Sequence, residues 1–255
     1  MGSFAEYIQK QPMASVELPL VHTTEYFHLA SIQASNTLTT NKCAIFEEPL
    51  LYFFYGRPAY RDSSKTAPTR DVGFYPVCLV FRAGAVSQKV RRLYPFDTAA
   101  SQRGLYEPAI KPSEALASYR IPETVESARR IVSCFFETDE RYLSNSPKPA
   151  LQFGANDVAA GSYYRLITGG GDPACDDRCS AVEVQIAESL DIREGIVAIV
   201  LPTCFLEDNT LANTLLNVWR AMPLTYDADT GMRPLEFHGT IRYLIRQFYR
   251  QSRLL

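Results

Sequence analysis

The chain has 255 residues and a mass of 28.7 kDa. Surface scaling gives about 11,000 Å² folded against about 42,000 Å² extended, so about 70% of the surface can be buried and a core can form without disulfides or metal. Hydrophobic residues at 46% and charged residues at 21% exclude a disordered or low-complexity chain. Lys plus Arg number 26 and Asp plus Glu 28, a formal charge of −2, so a nucleic-acid partner would need a local basic patch. No run of about 18 apolar residues predicts a membrane-spanning helix. Residues 1–11 lack the apolar stretch of a secretory signal, and Glu6 stands where myristoylation needs Ser or Thr. A cytoplasmic protein with one domain over 1–255 is expected.

The six cysteines are Cys43, Cys78, Cys134, Cys175, Cys179 and Cys204. Cys78 and Cys134 fall in apolar runs and read as small buried hydrophobes. Cys175 and Cys179 are spaced C-x-x-x-C, but a zinc site needs two more ligands, and His22, His28 and His238 form no ligand-type pair. Plain thiols and no metal are expected.

In chain order, residues 16–25 predict a strand ending in Leu20-Val21-His22, and Leu29 and Ile32 give helical spacing up to Asn36-Thr37. Leu38 and Ala44-Ile45-Phe46 predict short extended pieces. The apolar run 49–56 fits a buried helix or a strand. Residues 74–81 are the clearest buried strand. Four prolines make 94–122 loop-rich, and a helix is predicted from Pro122 to about Leu143 on the stripe Val125, Ala128, Val132, Phe135 and Phe136. A polar loop spans 144–149, and a Gly-rich loop over 169–180 feeds an alternating strand at 181–186. A second strand covers 196–202, and helices are predicted over about 208–222 and 240–251. Short strands irregularly interleaved with helices predict an α+β fold. No G-x-G-x-x-G or G-x-x-x-x-G-K-[ST] phosphate loop occurs.

Four constellations can carry chemistry. His22-Thr23-Thr24 sits between a strand and a helix, where the histidine can hydrogen-bond a ligand ribose or the threonines can simply cap the helix. Phe53-Phe54-Tyr55-Gly56-Arg57-Pro58-Ala59-Tyr60-Arg61 places aromatics beside two arginines: a heterocycle and phosphate site, or a core strand with a charged edge. Glu183 alternates with Val182 and Val184 and is either an edge salt bridge or a positioned acid or base. Arg242, Arg246 and Arg250 form a basic stripe, for phosphates or for solvent.

The order of these pieces resembles the ADP-ribosyltransferase superfamily, and within it the DarT-type toxins that transfer ADP-ribose from NAD to a base in DNA. His22-Thr23-Thr24 with Leu29, Ile32 and Leu38 resembles the family's opening H-x-T, helix and G-x-L pattern. Residues 49–61 resemble its aromatic stretch with a following arginine, and Ala181-Val182-Glu183-Val184-Gln185 resembles the strand bearing its catalytic glutamate. Asn36-Thr37 stands where the family often has glycine, Ala181 where protein-modifying relatives carry Gln or Glu, and 82–150 and 203–255 have no counterpart.

The resemblance implies a split β-sandwich around a NAD cleft with flanking helices, 82–150 as an insertion and 203–255 as a helical extension. It implies Glu183 as the catalytic carboxylate, NAD as co-substrate and no metal. His22, Thr24, Tyr52, Phe54, Tyr55, Arg57 and Arg61 would bind NAD, with Arg57 on the pyrophosphate and one aromatic on the nicotinamide. Arg178, Arg242, Arg246 and Arg250 would contact the target. That target is a nucleobase in DNA or RNA, with a protein target or NAD hydrolysis as the alternative, and a toxin implies an antitoxin partner. A non-catalytic nucleotide-binding domain of the same fold is the third possibility. His22, Arg57 and Glu183 lining one cleft would support an enzyme, and a Glu183 buried against the core, or more than about 10 Å from His22, would speak against one.

Overall fold

A computed structural model describes residues 3–14, 16–59, 67–169 and 176–255. Among the described residues ten strands lie in the order β1 (Leu20–Glu25), β2 (Thr37–Leu38), β3 (Asn41–Lys42), β4 (Pro49–Tyr55), β5 (Pro76–Phe81), β6 (Val90–Tyr94), β7 (Glu183–Ile186), β8 (Leu190–Asp191), β9 (Ile196–Pro202) and β10 (Met222–Tyr226). Eight build one sheet in the order β10-β9-β5-β1-β4-β7-β6, with β3 paired to β4, while β2 and β8 pair separately. The sheet is antiparallel except for the parallel β9–β10 pair. Strand β5 is apolar along its whole length because β1 and β9 flank it and its residues are buried on both faces. This mixed sheet with helices is the α+β class that the sequence pattern predicts.

The helices are α1 (Phe4–Gln9), α2 (Tyr26–Ser35), α3 (Thr98–Gln102), α4 (Pro112–Ser118), α5 (Val125–Phe135), α6 (Asp139–Leu143), α7 (Val158–Ile167), α8 (Asn209–Asn213) and α9 (His238–Gln251). Helix α2 ends at Asn36, whose φ of 53° is a left-handed conformation that asparagine tolerates better than most residues. Where one helix is predicted over 122–143, two form. Glu137 takes φ 72° after Phe136, and the Thr138 hydroxyl then accepts the Arg141 N–H at 3.2 Å to start α6. The predicted helix over 208–222 is also shorter. After α8 the chain widens into a π-turn at Thr214–Val218, Arg220 turns left-handed, and Met222–Tyr226 leaves as β10. Residues 82–150 supply β6 and α3 to α6, packed on the same core as the sheet.

The pairing of β1 is uneven. It runs along β5 for six residue pairs, Leu20↔Phe81 through Glu25↔Pro76. It meets β4 at two pairs, Leu20↔Tyr55 and Val21↔Phe54, while β4 runs with β7 over four. The half-sheet β10-β9-β5-β1 and the half-sheet β4-β7-β6 are therefore joined at one end and separate toward the other.

Gly56 closes the joined end. Its φ is +70°, its N–H donates to the Pro19 carbonyl at 2.8 Å, and a Cβ there would sit 2.6 Å from Leu18 Cδ1. Gly56→Ala combines left-handed strain with a buried collision and should cost about 2–4 kcal/mol, read as a drop of several degrees in the thermal midpoint. An unchanged midpoint would show that the turn is not constrained as described.

Candidate functional site

A cavity of about 400 Å³ fills the separation between β1 and β4. Strand β1 contributes His22, Thr23, Thr24 and Glu25, and β4 contributes Leu50, Leu51 and Tyr52. Helix α2 adds His28, Ser31 and Ile32, the turn after β3 adds Cys43, and the start of α9 adds His238. Its volume lies within the range of about 300–1,000 Å³ common for small-molecule sites.

His22 spans the mouth of the separation. Its Nδ1 lies 2.8 Å from the Tyr52 carbonyl, which assigns the Nδ1–H tautomer and leaves Nε2 as the acceptor of the neutral ring. Burial lowers the imidazole pKa, the carbonyl bond opposes that, and the nearby His28 adds to the lowering. Tyr52 holds the opposite wall through its hydroxyl, which donates to Cys43 Sγ at 2.7 Å. Its phenol pKa is raised by burial, by that bond and by the Glu183 charge.

Glu183 lies on β7, the neighbour of β4. Tyr52 pairs in register with Gln185, and Phe54 with Glu183. Cross-strand partners project to one face, so Tyr52, Phe54, Glu183 and Gln185 share a face, and His22, one residue after the Phe54 partner Val21, projects to the other. Glu183 is 1% exposed. The Thr98 N–H donates to its Oε2 at 3.0 Å, the Thr98 hydroxyl to Oε1 at 2.8 Å, and Gln185 Nε2 to Oε1 at 2.6 Å. Burial, together with the charge of Asp97, pushes the Glu183 carboxyl up to about 8 against those three donors. Asp97 caps α3 through the Ala100 N–H at 2.9 Å and is itself raised by burial. A buried carboxylate perturbed by a second carboxylate is the electrostatic pattern of many functional sites.

The structure separates the other sequence candidates. His22, Thr24 and Tyr52 line the cavity; Arg57 and Glu183 are not among the described residues that do. Phe54 packs with Ala59 and Ala181 in a small separate cluster. Tyr55 is core, its hydroxyl accepting the Leu18 N–H at 2.9 Å. Arg57, 2% exposed, donates to the Tyr142 carbonyl at 2.8 Å and to the Ser180 hydroxyl, with its guanidinium 4.6 Å from the Tyr142 ring centre. It pins the end of β4 to α6 and to the turn before β7. The expectation that it faces a pyrophosphate gives way to this packing. Arg61 lies outside the described residues.

The expected target-binding arginines are bound within the chain. Arg178 Nε pairs with Asp176 at 2.8 Å. Arg242 pairs with Asp177 at 2.9 Å, and Arg246 and Arg250 converge on Glu140 at 3.2 and 2.9 Å. The Arg250 bonds hold the Glu140 carboxyl below its ordinary range. The stripe on α9 therefore docks on α6 and on the turn before β7 instead of standing as a free basic face.

Sequence reasoning did not find Asp97, Thr98 and Gln185 around Glu183. Asp97-Thr98 opens α3, and an aspartate N-cap is a local signal; that it faces β7 is not. Nor did it place His28, Lys42 and His238 at the cavity. No protein-family profile matches this chain, and no curated protein matches it.

The raised Glu183 carboxyl has a stability consequence. The folded state keeps the proton up to about pH 8, while the unfolded chain releases it near pH 4.3. The folded state thus binds more protons across that window, and stability falls as pH rises through it. Glu183→Gln removes this titration. Its thermal midpoint should overtake that of the wild type between about pH 5 and pH 9, by a few kcal/mol equivalent at most. Parallel midpoint–pH curves for the two proteins would refute the buried-proton assignment.

Proposed function

We propose that the chain is a NAD-dependent mono-ADP-ribosyltransferase whose co-substrate enters the separation between β1 and β4. The observation that carries this is the cavity itself: two half-sheets joined at one end, His22 locked to the Tyr52 carbonyl at the mouth, and a buried carboxylate, Glu183, two residue pairs beyond Tyr52. The resemblance to ADP-ribosyltransferases implies a split sheet around a NAD cleft, and the parting of β1 from β4 after two residue pairs supports that reading. The residues present fit a dinucleotide. Tyr52 and Phe74 offer ring faces to a heterocycle, and Thr24 and His22 offer hydrogen bonds to ribose hydroxyls.

In the transfer, the glycosidic C–N bond breaks with its electron pair leaving on nicotinamide, and the acceptor's nucleophile bonds to the ribose C1′. Glu183 supplies negative charge to the oxocarbenium-like sugar and takes the proton that the nucleophile loses. Both tasks require the ionised carboxylate and access of the sugar to Glu183, which is 1% exposed. Thr98 and Gln185 keep the carboxylate aimed while it is ionised, since all three of their bonds favour the charged form.

The acceptor class rests on the resemblance, which points to a nucleobase in DNA or RNA, as in a toxin or antiviral-defence enzyme. One observation favours a second reading, a nucleotide-binding domain without transfer: Glu183 is 1% exposed and projects to the face opposite His22.

The test is incubation with NAD labelled in the adenylate, in the presence of single-stranded DNA, RNA and cell protein, for wild type and Glu183→Gln. Label should pass to one acceptor class with wild type and drop by about 10²-fold or more in the variant, the range of a lost general base. Since the ionised form acts, the wild-type rate should rise about tenfold per pH unit up to about pH 8 and then level. Nucleotide binding without nicotinamide release in either protein would establish the second reading.

A further inference from the structure

Glu183 and Gln185 project to one face of β7, and both are buried, at 1% and 0% exposed. Glu183 accepts three hydrogen bonds, from the Thr98 N–H, the Thr98 hydroxyl and Gln185 Nε2, the last at 2.6 Å. Gln185 Oε1, on the same amide, is buried and has no hydrogen-bond partner among the described residues. The charged and titratable groups around the pair are Asp97 at the cap of α3, Arg178 and Asp176 beside Asp97, Tyr52 on β4, and Arg92 and Tyr94 on β6. Of these, the Tyr52 hydroxyl is committed to Cys43 Sγ and Arg92 to Glu48.

Three donors suit an ionised Glu183, which is acceptor-only; a protonated Glu183 carries an O–H that needs an acceptor. Burial and the charge of Asp97 favour that proton. The Thr98 N–H cannot accept it. An amide oxygen can, and the oxygen and nitrogen of a glutamine are so alike in size that a half-turn about its last side-chain bond exchanges them in the same space. An amide bonded at both ends resists that turn, because a bond at the far end is lost. Gln185 is bonded at one end only, so Glu183 alone selects its orientation.

We infer that Gln185 is a positioning residue with two settings: its Nε2 donates to ionised Glu183, and its Oε1 accepts the O–H of protonated Glu183. The amide follows the proton, so the carboxyl keeps this partner, and its direction, in both charge states. One consequence rests on the transferase proposal: the proton that Glu183 takes from the nucleophile ends in the bond between Glu183 and Gln185. The two settings themselves rest on the hydrogen bonds of β7 and α3 alone.

Side-chain NMR of the full chain with isotopically labelled glutamine tests this without any nucleotide. The Gln185 amide signal is assigned by its loss in Gln185→Met, or in Gln185→Glu where the methionine variant does not fold. At about pH 9.5, above the Glu183 transition, the Nε2 protons should lie downfield as bonded donors and show a through-space contact to Thr98, which shares Glu183 Oε1 with them. Toward about pH 6 the downfield shift and the contact should both be lost, with a midpoint at about pH 8, and Glu183→Gln should abolish the change. A contact to Thr98 that persists over the whole range overturns the inference: Gln185 is then a fixed donor and the Thr98 hydroxyl takes the proton. A wild-type amide signal that does not respond to pH also overturns it. So does a response that survives in Glu183→Gln, because another group then drives the amide. A turning amide in a protein that transfers no label from NAD supports the two settings and overturns the transferase. A fixed amide in a protein that does transfer label overturns the two settings and leaves the transferase standing.

Discussion

The architecture depends on the incomplete pairing of β1 with β4. On its other side β1 pairs along its whole length with β5, and β4 pairs with β7 over four residues. Between them only Leu20, Val21, Phe54 and Tyr55 are in register. A ladder that stops after two pairs leaves backbone groups to satisfy, and buried carbonyls do not stay unpaired. His22 answers part of that demand by donating from its ring to the Tyr52 carbonyl. One side chain thus replaces a ladder bond and holds the half-sheets apart at the same point. A strand continuation by an apolar residue would give no such donor, and zipping β1 onto β4 would remove the cavity.

Two buried charges are set in opposite ways on either side of this split. Arg57 is a cation surrounded by neutral acceptors, and its guanidinium stacks near Tyr142 and Phe136. That is a fixed arrangement joining three chain segments, and removing one partner from such a buried network is expensive. Glu183 has donors for both oxygens, yet burial and the Asp97 charge push its carboxyl up to about 8. Its charge state changes close to neutrality. Structural stability alone gives no reason to keep a titrating carboxyl on β7, since a neutral amide would avoid the cost.

The regular parts of this fold were legible because they rest on local patterns. Strands β5 and β9 are short apolar runs, and α5 and α9 carry apolar stripes at helical spacing. Boundaries set by single backbone conformations were not. Glu137 and Arg220 adopt positive φ without being glycine or asparagine, and their residue types give no warning of it. Strand β10 was missed because Met222-Pro223-Leu224-Thr225-Tyr226 carries a proline and only half-buried positions at its middle, as an edge strand does. At the site, His22, Thr24 and Tyr52 came from adjacent motifs on paired strands. Lys42 and His238 did not, because the contact of β3 and α9 with one cavity is a product of topology.

The fate of the arginines shows why a motif can name a chemistry and misplace its residue. Arginine is the strongest phosphate partner by type, so Arg57, Arg242, Arg246 and Arg250 attract that role in a sequence. Each, however, has nearby acceptors in the fold: a carbonyl and a hydroxyl for Arg57, carboxylates for the three on α9. A guanidinium so engaged must break existing bonds before it can take a ligand. Lys42 is exposed and without an ion-pair partner among the described residues, and it stands at the cavity, so an anion there would meet it without that cost. Availability, set by what each cation already touches, decides between them more firmly than residue type.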